Sequence, residues 1–88
     1  MDEEWARRIY MYYVYILKLK DNSYYTGSTN NLKRRLGHHN RGECEATKNN
    51  IPATLIWSGI FRNKKLAVDL EQYLKSSSGI AFRNKRLI

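Results

Sequence analysis

Met11–Leu19 constrains the fold more than any other stretch of the chain. It reads Met-Tyr-Tyr-Val-Tyr-Ile-Leu-Lys-Leu, rich in aromatic and β-branched residues and without a charge before Lys18. That is the composition of a β-strand. The apolar residues run continuously rather than alternating, so both faces must be covered, which places the strand in the middle of a sheet. Lys20-Asp21-Asn22 follows as a turn in which Asn22 can take positive φ, and Tyr24–Thr29 reads as the returning strand. Side chains alternate along a strand, so loop length decides which tyrosines share a face. A two-residue loop would set Tyr15 and Tyr25 on opposite faces. A three-residue loop, a type I turn closed by a left-handed Asn22, pairs Leu19 with Ser23 and Tyr15 with Gly27 and puts both tyrosines on one face. The three-residue loop is the expected geometry.

Asn30 or Thr29 can cap a helix over roughly Asn31–His39, with Leu32 and Leu36 as its apolar line and Arg35 beside them. Asn40–Pro52 is polar and reads as a loop, and Ala53–Phe61 as a third strand. Asn63 caps a second helix, Lys64–Lys75, whose core stripe is Leu66, Leu70, Tyr73 and Leu74. Ser76-Ser77-Ser78-Gly79 ends it, and Ile80–Leu87 forms a short basic helix. The expected fold is α/β in the α+β sense, a small three-stranded antiparallel sheet flanked by helices in the order β-β-α-β-α-α. Residues 11–88 make one domain. Residues 1–10 differ in charge balance and read as an N-terminal extension, with Trp5, Ala6 and Ile9 on one apolar side. A chain of 88 residues buries only about 60–65% of its unfolded surface, so any site is expected to be shallow and on a face.

Lys and Arg number 16 against 8 Asp and Glu, for a net charge of +8 and a pI near 9.8. Beyond residue 10, 14 bases face 5 acids. The bases recur in every segment rather than in one tail, which points to a polyanionic partner, and nucleic acid is the commonest. The single cysteine, Cys44, excludes an internal disulfide. With His38 and His39 it does not supply the four ligands of a structural zinc site. The acidic start does not read as a secretory signal, and the longest apolar run, Tyr10–Leu17, falls well short of the roughly 20 residues of a membrane helix. A cytoplasmic chain is expected, with no membrane partner.

Four features carry candidate chemistry: Tyr15 and Tyr25, Arg35 on the following helix, and Glu71 on a later one. Taken alone, the tyrosines fit sheet packing, Arg35 is equivalent in composition to Arg34, and Glu71 can pair with Lys75 at i,i+4. Together with their spacing they say more. Tyr13-Val14-Tyr15, Tyr25-Thr26-Gly27 and the run Gly27–Leu36, which puts Arg35 eight residues past the glycine, resemble the motifs of the GIY-YIG nuclease superfamily. The similarity is greatest to its short stand-alone bacterial members, which share the Tyr-Thr-Gly form, the His39-Asn40 helix ending and a tail like Leu74-Lys75-Ser76 through Gly79 and Phe82-Arg83. It extends from Met11 to the C-terminus. Tyr13 stands where the first motif has glycine, Thr26 is the middle of the second, and Ser28 stands where some relatives carry lysine. Asn84 lies close to where some relatives have an asparagine.

The resemblance implies a metal-dependent endonuclease that hydrolyses phosphodiester bonds in DNA, branched or single-stranded DNA included, with low sequence specificity. A weakly active or inactive nucleic-acid-binding module of the same fold is the alternative, and a protein-interaction domain a further one. Tyr15 would be the general base, its pKa lowered by nearby cations, and Tyr25 would orient the same water. Arg35 would hold phosphate oxygens. His39 would touch phosphate or assist proton transfer, and Glu71 would bind Mg²⁺ or Mn²⁺. Gly27, opposite Tyr15, would leave room for the phenol and a phosphate. Lys33, Arg34, Arg41, Lys48, Lys64 and Lys65 are candidate phosphate contacts, which give salt-sensitive affinity without reading sequence. Specificity would come from nucleic-acid structure or a protein partner. The reading requires the phenols, the guanidinium and the carboxylate to meet on one side of the sheet.

Overall fold

The turn after the first strand determines the register of the hairpin that carries both tyrosines. In a computed structural model, which describes residues 11–88, Leu19 N–H donates to the Ser23 carbonyl at 2.8 Å and Asn22 N–H to the Leu19 carbonyl at 2.9 Å. Asn22 has φ 69°. Asp21 Oδ1 accepts from the Ser23 backbone at 3.0 Å and from its hydroxyl at 2.5 Å. The three-residue loop is therefore present. It joins β1 (Tyr12–Lys18) to β2 (Tyr24–Thr29) with Tyr15 opposite Gly27, as parity requires. β3 (Thr54–Phe61) pairs antiparallel along the other edge of β1, with a bulge between Ile16 and Leu17. The sheet order β2-β1-β3 makes β1 central. Val14, Ile16 and Leu17 are 0% exposed and Tyr15 1%, each burial contributing roughly 1.5–3 kcal/mol.

The two faces of the sheet have different cores. On one, α1 (Leu32–Asn40) lays Leu32 and Leu36 over Tyr15, Leu17, Leu19 and Ala53. On the other, α2 (Lys64–Leu74) and α3 (Ser77–Arg86) bring Ala67, Leu70, Leu74 and the adjoining Leu87 against Val14 and Ile16. Asn40, at the end of α1, donates to the Ala53 carbonyl at 3.0 Å and accepts from its N–H at 2.7 Å. This amide continues the ladder where β3 begins and fixes the helix end to the sheet. No helix among the described residues is long and apolar enough to cross a membrane. The N-terminal extension over residues 1–10, with its Trp5, Ala6 and Ile9 side, lies outside the described residues.

The observed order β-β-α-β-α-α matches the sequence expectation, and three local features differ from it. The cap of α1 is Asn31, whose Oδ1 accepts from Arg34 N–H at 3.0 Å, rather than Asn30 or Thr29. Thr29 is still strand, and its hydroxyl accepts from Asn31 N–H at 3.1 Å. In α2, Leu66 (56%) and Tyr73 (44%) are exposed, and the buried stripe runs through Ala67 and Leu74. A small alanine allows the closest approach to β1, which rotates the helix one position from the phase its large residues suggest. The Ser76–Gly79 run separates the helices only at Ser76, which caps α3 by accepting from Gly79 N–H at 3.1 Å. Gly79 is buried inside α3, where any Cβ would collide with the Tyr73 carbonyl.

That contact is with backbone, so it cannot be relieved by a rotamer change. Gly79→Ala is expected to destabilise the domain by about 1–3 kcal/mol despite alanine's better helix propensity. The shift in urea midpoint checks it, with Ser78→Ala as an exposed comparison.

Candidate active site

Strand pairing and one missing side chain bring the aromatic residues together. Gly27 lies opposite Tyr15, and a Cβ at Gly27 would stand 2.5 Å from Tyr15 Oη and 3.0 Å from the Tyr25 ring. Glycine is the residue that lets the phenol lie across β2. His39, in the last turn of α1, completes a three-ring cluster. Ring centroids are 6.3 Å apart for Tyr15–Tyr25, 5.8 Å for Tyr15–His39 and 5.1 Å for Tyr25–His39. Tyr15 Oη is hydrogen-bonded to His39 Nε2 at 2.9 Å, and His39 Nδ1 to Thr47 Oγ1 at 2.7 Å. Tyr15, His39 and Thr47 are each 1% exposed. This part of the site is thus deeper than a chain of this length suggests, because the α1–β3 loop folds over it.

Burial determines the protonation states. It pushes the Tyr15 phenol well above its ordinary value, and Tyr25 acts in the same direction. Arg35 opposes the rise without overcoming it. Tyr15 is therefore not acidified by its cationic neighbours, because loss of solvent around the phenolate outweighs them. Burial pulls His39 below its ordinary value, and the charges of Arg35 and His38 add to the effect. At neutral pH the pair is a neutral phenol bonded to a neutral imidazole.

Glu71 approaches from the other side. Its helix, α2, covers the Val14–Ile16 face, whereas Tyr15, Tyr25 and α1 lie on the opposite one. The requirement that all four groups share one side of the sheet is therefore not met. Instead Glu71 reaches the edge strand β2, where Ser28 Oγ donates to its Oε1 at 2.5 Å and Lys75 Nζ to its Oε2 at 2.7 Å. Burial raises the carboxyl pKa, but the bonds from Lys75 and Ser28 and the charges of Lys75 and Arg35 bring it below the ordinary range. Glu71 is ionised at neutral pH.

Arg35 links the two sides. Its charge acts on Tyr15, His39 and Glu71 alike. It also lines a cavity of about 290 Å³ with Ser28, Arg34, His38 and Lys64, a strongly cationic wall for a phosphate. Of the expected phosphate contacts, Arg34 and Lys64 belong to this wall, and Lys33 lines a neighbouring groove. Arg41, Lys48 and Lys65 instead face Glu43 (2.9 Å), Glu45 (3.2 Å) and Asp69 (2.7 Å), which neutralise them locally. Sequence reasoning gave no role to Thr47, and spacing carries no signal for it, because it meets His39 only through the loop's path.

Among the described residues no cluster of three or more His, Cys, Asp or Glu could hold an ion. Glu71 supplies one ionised carboxylate and Ser28 a neighbouring hydroxyl. Hard oxygen donors in that small number fit Mg²⁺ or Mn²⁺, completed by water and substrate oxygens, and do not fit Zn²⁺.

Comparison with known proteins identifies the family. Residues 11–85 match the family described as the GIY-YIG catalytic domain. The chain is 46% identical over 79 residues to a UPF0213 protein of Clostridium perfringens, covering 88% of this chain and 80% of that one. It is 40% identical over 65 residues to the UPF0213 protein YazA of Bacillus subtilis, covering 73% and 66%. The solution NMR structure of a UPF0213 protein from Bacillus halodurans aligns with a TM-score of 0.55 and 31% identity, over 88% of this chain and 86% of that one.

The buried neutral His39 makes stability depend on pH. Well above about pH 6.5 neither folded nor unfolded His39 holds a proton, so it contributes no pH dependence there. Below that value the unfolded chain takes up a proton that the folded imidazole refuses, and stability falls until pH drops below the folded pKa. His39→Gln is expected to remove this component. The stability gap between wild type and variant should narrow as pH falls from 7 to 5, by at most about 1.4 kcal/mol per pH unit. Urea titrations at several pH values measure it.

Proposed function

Because the chain belongs to the GIY-YIG family, we propose that it is a divalent-metal-dependent endonuclease that hydrolyses phosphodiester bonds in DNA with low sequence specificity, branched and single-stranded DNA included. The observation that carries this reading is the place of Arg35, which shares a cavity with Ser28, the partner of Glu71, and a helix with His39, the partner of Tyr15. A phosphate in that cavity would lie between the helix that carries His39 and the strand whose Ser28 bonds Glu71. Residues 11–88 are the catalytic unit, residues 1–10 are an extension of it, and the single free Cys44 suits a reducing cytoplasm.

Arg35 binds two non-bridging phosphate oxygens and stabilises the charge that grows on them. Arg34 and Lys64 hold the flanking backbone. As water attacks phosphorus, its proton passes to Tyr15 Oη while Tyr15's own proton passes to His39 Nε2. No free phenolate forms, which suits a phenol whose burial disfavours one. The new P–O bond forms as the bond to the leaving oxygen breaks, and that oxygen takes a proton from solvent. Tyr25 packs against both rings and keeps them in register. Glu71, with Ser28 behind it, would hold the metal, which when bound supplies positive charge to the phosphate and the attacking water.

One observation favours the alternative of a weakly active binding module. Both Glu71 oxygens already have partners, and an ion must displace Lys75 to reach Oε2. Lys75 is 45% exposed, so its ammonium can swing into solvent at little cost.

Cleavage of plasmid, branched and single-stranded DNA separates the two readings. With Mg²⁺, cleavage is expected on at least one substrate and should cease with EDTA. Arg35→Ala and Glu71→Ala should each lower the rate by about 10²–10³-fold. Salt-sensitive binding without metal-dependent cutting on any substrate would establish the binding module instead.

A further inference from the structure

Thr47 lies in the loop between α1 and β3, far along the chain from the motif residues. Its side chain is 1% exposed, and its only hydrogen-bond partner among the described residues is His39 Nδ1, at 2.7 Å. The Tyr15 hydroxyl is equally buried and bonded to the other ring nitrogen, Nε2, at 2.9 Å. A neutral imidazole has one N–H and one lone pair. Two buried hydroxyl protons therefore compete for a single acceptor, and the loser's oxygen must receive the ring proton instead.

Chemistry decides the competition. A phenol is a far stronger hydrogen-bond donor than an aliphatic hydroxyl. The positive charge of Arg35 acts on the phenol in the direction that makes its O–H a stronger donor. The phenol therefore takes the Nε2 lone pair, and the ring proton sits on Nδ1, facing Thr47.

We propose that Thr47 is a positioning residue, which accepts the Nδ1–H of His39 and thereby fixes the tautomer and ring orientation that present the Nε2 lone pair to Tyr15. For its catalytic consequence this rests on the nuclease reading above. As the water proton moves onto Tyr15 and the phenolic proton onto Nε2, the Nδ1–H stays bonded to Thr47, which keeps the new imidazolium from rotating. Without the threonine oxygen, the buried Nδ1–H has no acceptor. The ring then gains by moving its proton to Nε2, where it opposes the Tyr15 proton instead of receiving it.

Histidine-ring ¹⁵N NMR of the free protein tests the assignment without any substrate, and the two histidines are distinguished by His38→Gln. Wild type should show His39 in the Nδ1–H form. Thr47→Val, nearly isosteric, should shift it towards Nε2–H and lower kcat by about 10–100-fold with KM little changed, while Thr47→Ser should restore both. A wild-type Nε2–H tautomer, or an unaltered tautomer in Thr47→Val, would overturn the proposal even if cleavage is robust. The expected tautomers without cleavage would uphold Thr47's control of the ring and count against the nuclease reading instead. Because the wild-type spectrum alone can refute the assignment, it stays testable if Thr47→Val fails to fold.

Discussion

Tyr15 reaches His39 only because it lies opposite a residue without a side chain. The Tyr15–Gly27 pairing lets the phenol cross the edge strand, and a methyl group at Gly27 would stand within 2.5 Å of its oxygen. The pairing in turn descends from the turn three residues long, closed by Asn22 in the left-handed region. Changing the loop by one residue would bring Thr26 or Ser28 opposite Tyr15 and turn Tyr25 to the other face. A backbone angle at an exposed asparagine thus controls the position of a buried hydroxyl four pairs beyond the Leu19–Ser23 closure.

Around that hydroxyl the fold leaves little surface open to bulk solvent, and the consequences for charge run in one direction. Burial raises the phenol's pKa and lowers the imidazole's. A tyrosine acting alone as a base would need to be ionised, and the surroundings forbid it. A tyrosine bonded to a neutral histidine can gain one proton as it gives up another. The environment that removes the first route provides the second, because the desolvation that disfavours phenolate also keeps the imidazole free to accept.

The residues that local rules govern were legible in the sequence. The central strand followed from an unbroken apolar run, the hairpin register from loop parity, and the capping of α2 from Asn63. Tyr15, Tyr25, Arg35, His39 and Glu71 were singled out through the resemblance of their motifs to those of the GIY-YIG nucleases. What local rules do not govern was not legible. Ala67 rather than Leu66 faces the core because the helix settles by its smallest residue, a choice made by the opposing sheet. Gly79 looked like a helix terminator and is a site of helix contact. Thr47 bonds His39 through the course of a loop with no periodicity. Glu71 sits behind the edge strand rather than beside the tyrosines, since sequence order does not say around which edge a side chain will reach.

Placing the carboxylate behind the strand gives Arg35 its leverage. The guanidinium's charge acts both on Glu71 and on the Tyr15–His39 pair. Its charge adds to the bonds from Lys75 and Ser28 that keep Glu71 ionised, and helps hold His39 unprotonated. In the proposed reaction a phosphate bound to Arg35 compensates that same charge. The repulsion between guanidinium and imidazolium then weakens at the stage when the imidazole must accept a proton. His39 would be a poor base in the free protein and a better one beside substrate. Coulomb's law alone would make proton transfer depend on a phosphate being in place.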